Sequence, residues 1–194
     1  MGQRDTGTEQ LIKDTAKRIF FSEGKLHATT QDIADAAGVN RTLLNYYFRS
    51  RDILFEQVAT EARAEMSAVM DTVFSAKLEF KEKLEQLITV FMDQAMKFPY
   101  REMYVVTELN RGDKVVPEEK KIRVKAFLKE ISAEMEKGKI KKMDPRQFCM
   151  NLFALMAYPL ITNCLNKSIY NVNDAEYLKL MKDRKKLIFE MIYQ

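Results

Sequence analysis

All six glycines of this 194-residue chain lie between stretches whose apolar residues recur at helical spacing, and three of the four prolines lie at the ends of such stretches. Glycine tolerates the positive φ of a turn, and proline suits a first helical turn or a stop. No segment alternates apolar and polar residues as a half-buried strand does. The chain is therefore expected to be all-α, with about nine helices.

Capping residues sharpen the boundaries. Thr6 with Glu9, and Thr29 with Asp32, form capping boxes ahead of apolar stripes. The first stripe, Ile12, Ala16, Ile19 and Phe20, ends at Gly24, and the second carries Ile33, Ala34 and Ala37. Gly38-Val39-Asn40 makes a tight turn, with Asn40 suited to cap a third helix over 41–47, and Ser50 caps a long fourth helix. Further stripes end near Pro99, at Asn110-Arg111-Gly112 and at Gly138, and the later helices open at Pro117, Asp144-Pro145 and Asn173-Asp174. Pro159 is expected to kink or end the helix that contains it, because it has no N–H for the interior ladder.

Composition excludes several classes. Hydrophobic residues make up 46% and charged residues 31%, an ordinary globular mixture. No apolar run approaches the roughly 18–20 residues of a membrane span. The first residues lack the apolar stretch of a signal peptide, so a cytoplasmic location is expected and no membrane partner. Two cysteines, Cys149 and Cys164, and one histidine, His27, are too few for a disulfide scaffold or a zinc site, so neither metal nor cofactor is expected. Paired carboxylates in a cleft-like context, a nucleophile with a histidine partner and a glycine-rich phosphate loop are all missing, which argues against an enzyme.

Two short helices joined by Ala37-Gly38-Val39-Asn40 have the layout of a helix-turn-helix, whose second helix enters a DNA major groove. Between Asp35 and Asp52 there is no acid and there are three arginines, interleaved with Asn40, Thr42, Asn45, Tyr46 and Tyr47. These side chains can hydrogen-bond phosphates or base edges. The basic runs around 120–123, 137–142 and 182–186 alternate with acids and read as solvated helix faces.

Residues 12–54 resemble the DNA-binding domain of the TetR family of bacterial transcriptional regulators. The resemblance rests on Phe20 to Gly24, Thr29, Ile33-Ala34, Ala37-Gly38-Val39, Tyr46-Tyr47-Phe48 and Ser50-Arg51. The chain departs from the family pattern at Asn45, where many members have tyrosine, and at Arg51, where lysine is usual. The resemblance implies a DNA-binding domain over 1–50 and a ligand-binding and dimerisation domain over 51–194. It implies Arg41, Thr42 and Asn45 as base readers, with Thr29, Gln31, Tyr46, Tyr47 and Arg51 holding phosphates; Asn40 belongs to the same surface. It also implies a homodimer through the last two long helices, bound to a palindromic operator in double-stranded DNA. A helix over 148–165 that is apolar around most of its circumference agrees with such pairing.

For a small-molecule effector the candidate lining is Phe91, Met103, Tyr104, Thr107, Phe127, Asn151 and Met156, aromatics and methionines with a few polar atoms, suited to an apolar or aromatic compound. Taken one by one, each of these residues reads more readily as ordinary core. The expected function is a repressor released by such an effector; the alternative is a constitutive or architectural DNA-binding protein without one.

Overall fold

The computed structural model of the protein describes residues 6–109 and 116–194; the expected turn at Asn110-Arg111-Gly112 lies outside the described residues. They form ten α-helices and no strand. α1 (Thr6–Lys17) widens into a π-helical turn, Arg18–Ser22, and is followed by α2 (Thr30–Ala37), α3 (Arg41–Phe48) and α4 (Arg51–Ser75). Then come α5 (Phe80–Lys97), α6 (Pro99–Leu109), α7 (Glu118–Glu136), α8 (Pro145–Ile161), α9 (Asn163–Tyr170) and α10 (Asp174–Ile192).

The capping chemistry sets most starts. Thr29 and Asp32 form a reciprocal box at α2, Asn173 and Glu176 do the same at α10, and Asn40, Ser50 and Asp144 each accept a backbone N–H with their side chains. Gly38 closes α2 at φ 68°, and a Cβ built there would meet nothing within 4 Å. Its glycine serves the left-handed turn rather than a close crossing of α2 with its neighbours. The close crossing is left to Ala34, which is fully buried.

Ten helices replace the expected nine because the apolar 148–165 segment breaks at Thr162, and α8 and α9 meet at a bend of 73°. Pro159 is the cause. Without its N–H the carbonyl of Leu155, four residues back, loses its helical donor. Arg184 of α10 supplies one, its Nε donating to Leu155 O at 2.9 Å. The Tyr177 hydroxyl, also on α10, donates to the Pro159 carbonyl at 2.5 Å. The break in α8 is thus stitched shut by its neighbour, as buried backbone polar groups require.

Two hydrophobic cores result. The first unites Ile12, Ala16, Phe20, Ile33, Leu44 and Phe48 with Leu54, Val58, Ala59 and Ala62 of α4, and with Phe98 at the α5–α6 junction. The second gathers Val73 of α4 with the inward faces of α5, α7, α8 and α10. α4 is common to both; its 25 residues span about 37 Å. α6 bridges them a second time, because Tyr104 packs against the first core while Arg101 and Glu102 are buried beside the second.

Candidate nucleic-acid interface and interior cavity

α3 divides cleanly by period. Leu44 and Phe48, four apart, are buried, while Arg41, Thr42, Tyr46 and Arg49 are exposed on the opposite side, with Asn45 half-buried among them. Tyr47 is half-buried, and its ring lies edge-on to Tyr46 at 5.4 Å. The exposed face carries two guanidiniums, a hydroxyl, an amide and a phenol. Those are donors for phosphates and for guanine or adenine edges, on an element narrow enough for a major groove. Arg49 was not singled out from the sequence. It ends α3 at φ 57°, and the signal available was its place as the second arginine of the acid-free window.

At the N-terminus of α2 the roles are mixed. Thr29 Oγ1 accepts from Asp32 N at 3.2 Å, and the Asp32 carboxylate accepts from both the backbone N–H and hydroxyl of Thr29 at 2.8 Å. Those bonds hold the Asp32 carboxyl below the usual carboxylate range. Gln31 is exposed and donates to Asp35 at 2.7 Å. Asn40 Oδ1 is taken by Leu43 N at 2.7 Å, which leaves the amide nitrogen to face outward chemistry.

Arg51 sits differently from the other candidates. Its guanidinium turns inward, donating to the carbonyls of Leu26 and Ala28 and lying over the Phe20 and Phe55 rings at 5.4 and 4.9 Å. It ties the loop before α2 to the start of α4. A residue so engaged positions the helix-turn-helix from behind.

A cavity of about 340 Å³ opens between α4, α5, α6, α7 and α8, beyond the first core. Met66, Met70, Phe74, Phe91, Val105 and Phe153 make its apolar wall. Of the seven residues expected to line such a site, Phe91 alone borders this cavity. Phe127 and Met156 are buried but filled around, Phe127 against the Phe74 and Phe80 rings at 5.1 and 5.7 Å. Tyr104 faces the first core, with Phe55 at 5.0 Å and Phe21 at 6.0 Å. Met103 and Thr107 are exposed on the outer side of α6, and Asn151 borders a separate groove against α10.

The charged lining was also missed. Lys120 and Arg123, read as a solvated face, stand at the cavity, where Arg123 reaches across to Asp71 of α4 at 3.0 Å. Arg101 is 1% exposed and pairs with Glu102 at 2.7 Å. Among the described residues no three His, Cys, Asp or Glu converge on a possible metal position, both cysteines are free, and no single helix is long and apolar enough to cross a membrane.

Comparison with known proteins agrees with this geometry. Residues 12–58 match the family described as bacterial regulatory proteins, tetR family. Over 113 residues the chain is 26% identical to the probable HTH-type transcriptional regulator YttP of Bacillus subtilis, covering 54% of each, so it spans about half the length of that curated relative. Among solved structures, the ketosteroid transcriptional regulator KstR2 of Mycobacterium tuberculosis has a TM-score of 0.68 at 14% identity, over 100% of this chain and 98% of that one. The fatty acid degradation regulator FadR from Bacillus halodurans gives 0.59 at 18% identity over 97% of both chains. A TetR-family regulator from Haemophilus influenzae gives 0.55 at 15% over the whole of both. At such identities the likeness is one of fold, and it extends past the helix-turn-helix through the remaining helices.

Proposed function

From the match of residues 12–58 to the tetR family of bacterial regulatory proteins, we propose that the chain is a DNA-binding transcriptional regulator of that family, a repressor whose hold on DNA is set by a small molecule in the cavity beside α4 and α6. One observation carries this reading. Two of the five helices that wall the cavity, α4 and α6, also wall the first core, so a ligand that shifts them shifts the helix-turn-helix.

In this mechanism Arg41, Thr42 and Asn45 read base edges, and Tyr46, Tyr47, Gln31, Thr29 and Asn40 meet phosphates and sugar. One eight-residue recognition helix offers too little surface for a specific site, so two copies act together on a palindrome. Apolar side chains left exposed on α8 and α10, among them Met150, Tyr158, Leu180, Leu187 and Met191, supply a face for pairing through those helices. The two recognition helices must then stand about 34 Å apart, one turn of DNA. Effector binding favours a different spacing, and the two equilibria are linked by a coupling free energy.

Selection of binding fragments from the source genome with purified protein tests the reading. A short palindrome, released when small-molecule pools are added, is the expected result. A palindrome that no pool releases and a cavity that no compound enters would refute effector control and leave a constitutive DNA-binding protein.

A further inference from the structure

Resting on that reading, we infer that the effector is an amphipathic monoanion, a carboxylate on an apolar body, whose head group seats on Arg63. Six charged side chains border the cavity: Arg63, Asp71, Arg101, Glu102, Lys120 and Arg123. Four of them cancel in the Asp71–Arg123 and Arg101–Glu102 pairs. Arg63 and Lys120 are left as two cations for which the described residues offer no carboxylate. The two ion pairs leave no unpaired carboxylate at the cavity to repel an anion, and the two spare cations offset the cost of bringing one against its apolar wall.

Arg63 is the more informative of the two. Its Nη2 donates to Thr60 Oγ1 at 3.0 Å, and its guanidinium carbon lies 5.8 Å from the Tyr104 ring centre. Its Nη1 is buried and has no hydrogen-bond partner, and no other side-chain nitrogen or oxygen among the described residues is so placed. A guanidinium nitrogen out of contact with water needs an acceptor, and leaving it without one is costly. Nη1 has no accessible surface of its own, so a ligand oxygen in the adjacent cavity meets it once the guanidinium turns toward that cavity, where a carboxylate accepts a charge-assisted bond. A single buried donor edge suits a monoanion. Lys120, exposed at the same cavity, adds attraction at longer range.

The position of Arg63 also makes it a relay. Its neighbour Ala62 belongs to the first core, and Tyr104, over which it lies, packs on Phe21 and Phe55 of that core. A head group that draws the guanidinium toward the cavity loosens it from Tyr104. Charge on the ligand is thereby converted into movement between α4 and α6 under the helix-turn-helix.

Calorimetric titration of the full chain with octanoate and with octanol, a neutral ligand of the same carbon count whose apolar chain is one methylene longer, tests this. Octanoate is expected to bind at least about tenfold more tightly than octanol, the effect of one charge-assisted hydrogen bond. In R63Q that preference is expected to vanish while octanol still binds, which also shows that the variant is folded. R63K, which keeps the charge but not the fork, restores part of it. Equal affinity for the two ligands, a carboxylate preference that survives R63Q, or failure of straight-chain and aryl carboxylates alike to bind would each overturn the inference. The DNA arm separates it from the reading beneath it. Octanoate that binds through Arg63 without changing affinity for the selected fragments upholds the anion site and refutes effector control; release by octanol and octanoate equally does the reverse.

Discussion

Replacing Gly24 by alanine acts on the seam between the two halves of the molecule. Gly24 follows the π-helical turn of α1 at φ 72°, and a Cβ there would lie 2.6–2.8 Å from three atoms of the Tyr100 ring on α6. Two costs add. A non-glycine residue in the left-handed region costs about 1–2 kcal/mol, of which roughly 0.4–1 returns through lower chain entropy in the unfolded state. Displacing a packed ring adds about 1–3 kcal/mol. Gly38 is the internal control, since its φ is nearly the same and nothing lies within 4 Å of its Cβ position. We therefore expect G38A to cost about 1 kcal/mol and G24A about 2–4 kcal/mol. The thermal midpoint should fall by about 2–4 °C for each kcal/mol. Melting at one fixed protein concentration, which removes the effect of self-association, reads both. In a Tyr100→Ala background the excess cost of G24A should disappear. If G24A and G38A melt alike, or if the excess persists without the Tyr100 ring, the close approach of α6 to the end of α1 is not what makes Gly24 necessary.

Three further expectations follow from named contacts. Arg41→Ala should relax base preference by about 1–3 kcal/mol at one operator position, whereas Arg51→Ala, by freeing the loop carbonyls of Leu26 and Ala28, should lower the melting temperature and leave the salt slope of DNA binding unchanged; a slope reduced by about one would return Arg51 to the phosphates. Arg184→Met strands the Leu155 carbonyl and should cost about 1–3 kcal/mol, and most of that cost should vanish in Pro159→Ala, where the restored N–H takes the carbonyl back; equal costs in both backgrounds would contradict this account of the helix break. Asp144 accepts from the Arg146 guanidinium and then its backbone N–H, which holds its carboxyl down at about 2 from 3.8. Because the folded value is the lower one, its stabilisation is present above pH 4 and is lost as pH falls toward 2. Asp144→Asn keeps a capping oxygen, so the advantage of the native residue over it, followed by melting at stepped pH, should shrink across that interval.

Local chemistry, which a sequence displays directly, determined a great deal here. The capping boxes at Thr29 and Asn173, the left-handed glycines and the spacing of Leu44 from Phe48 fix helix limits and inner faces without reference to the rest of the chain, because each works within a few residues. The helix-turn-helix and its exposed donors were legible for the same reason. Pro159 announced a break, though not the carbonyl acceptors left for Arg184 and Tyr177, which come from another helix. The cavity was not legible. Periodicity distinguishes inside from outside, but a void differs from a packed contact only by the offsets between α4, α6 and α7, to which no single stripe refers. So Phe127 and Met156 proved to be filled core, and Met103 and Thr107 faced outward because α6 is held between two cores and turns Arg101 and Glu102 inward instead. The same holds for charge. Arg63 and Lys120 look like any solvated residues in sequence, and only the tertiary pairing of Asp71 with Arg123 and Arg101 with Glu102 leaves those two cations at a cavity with no carboxylate partner among the described residues.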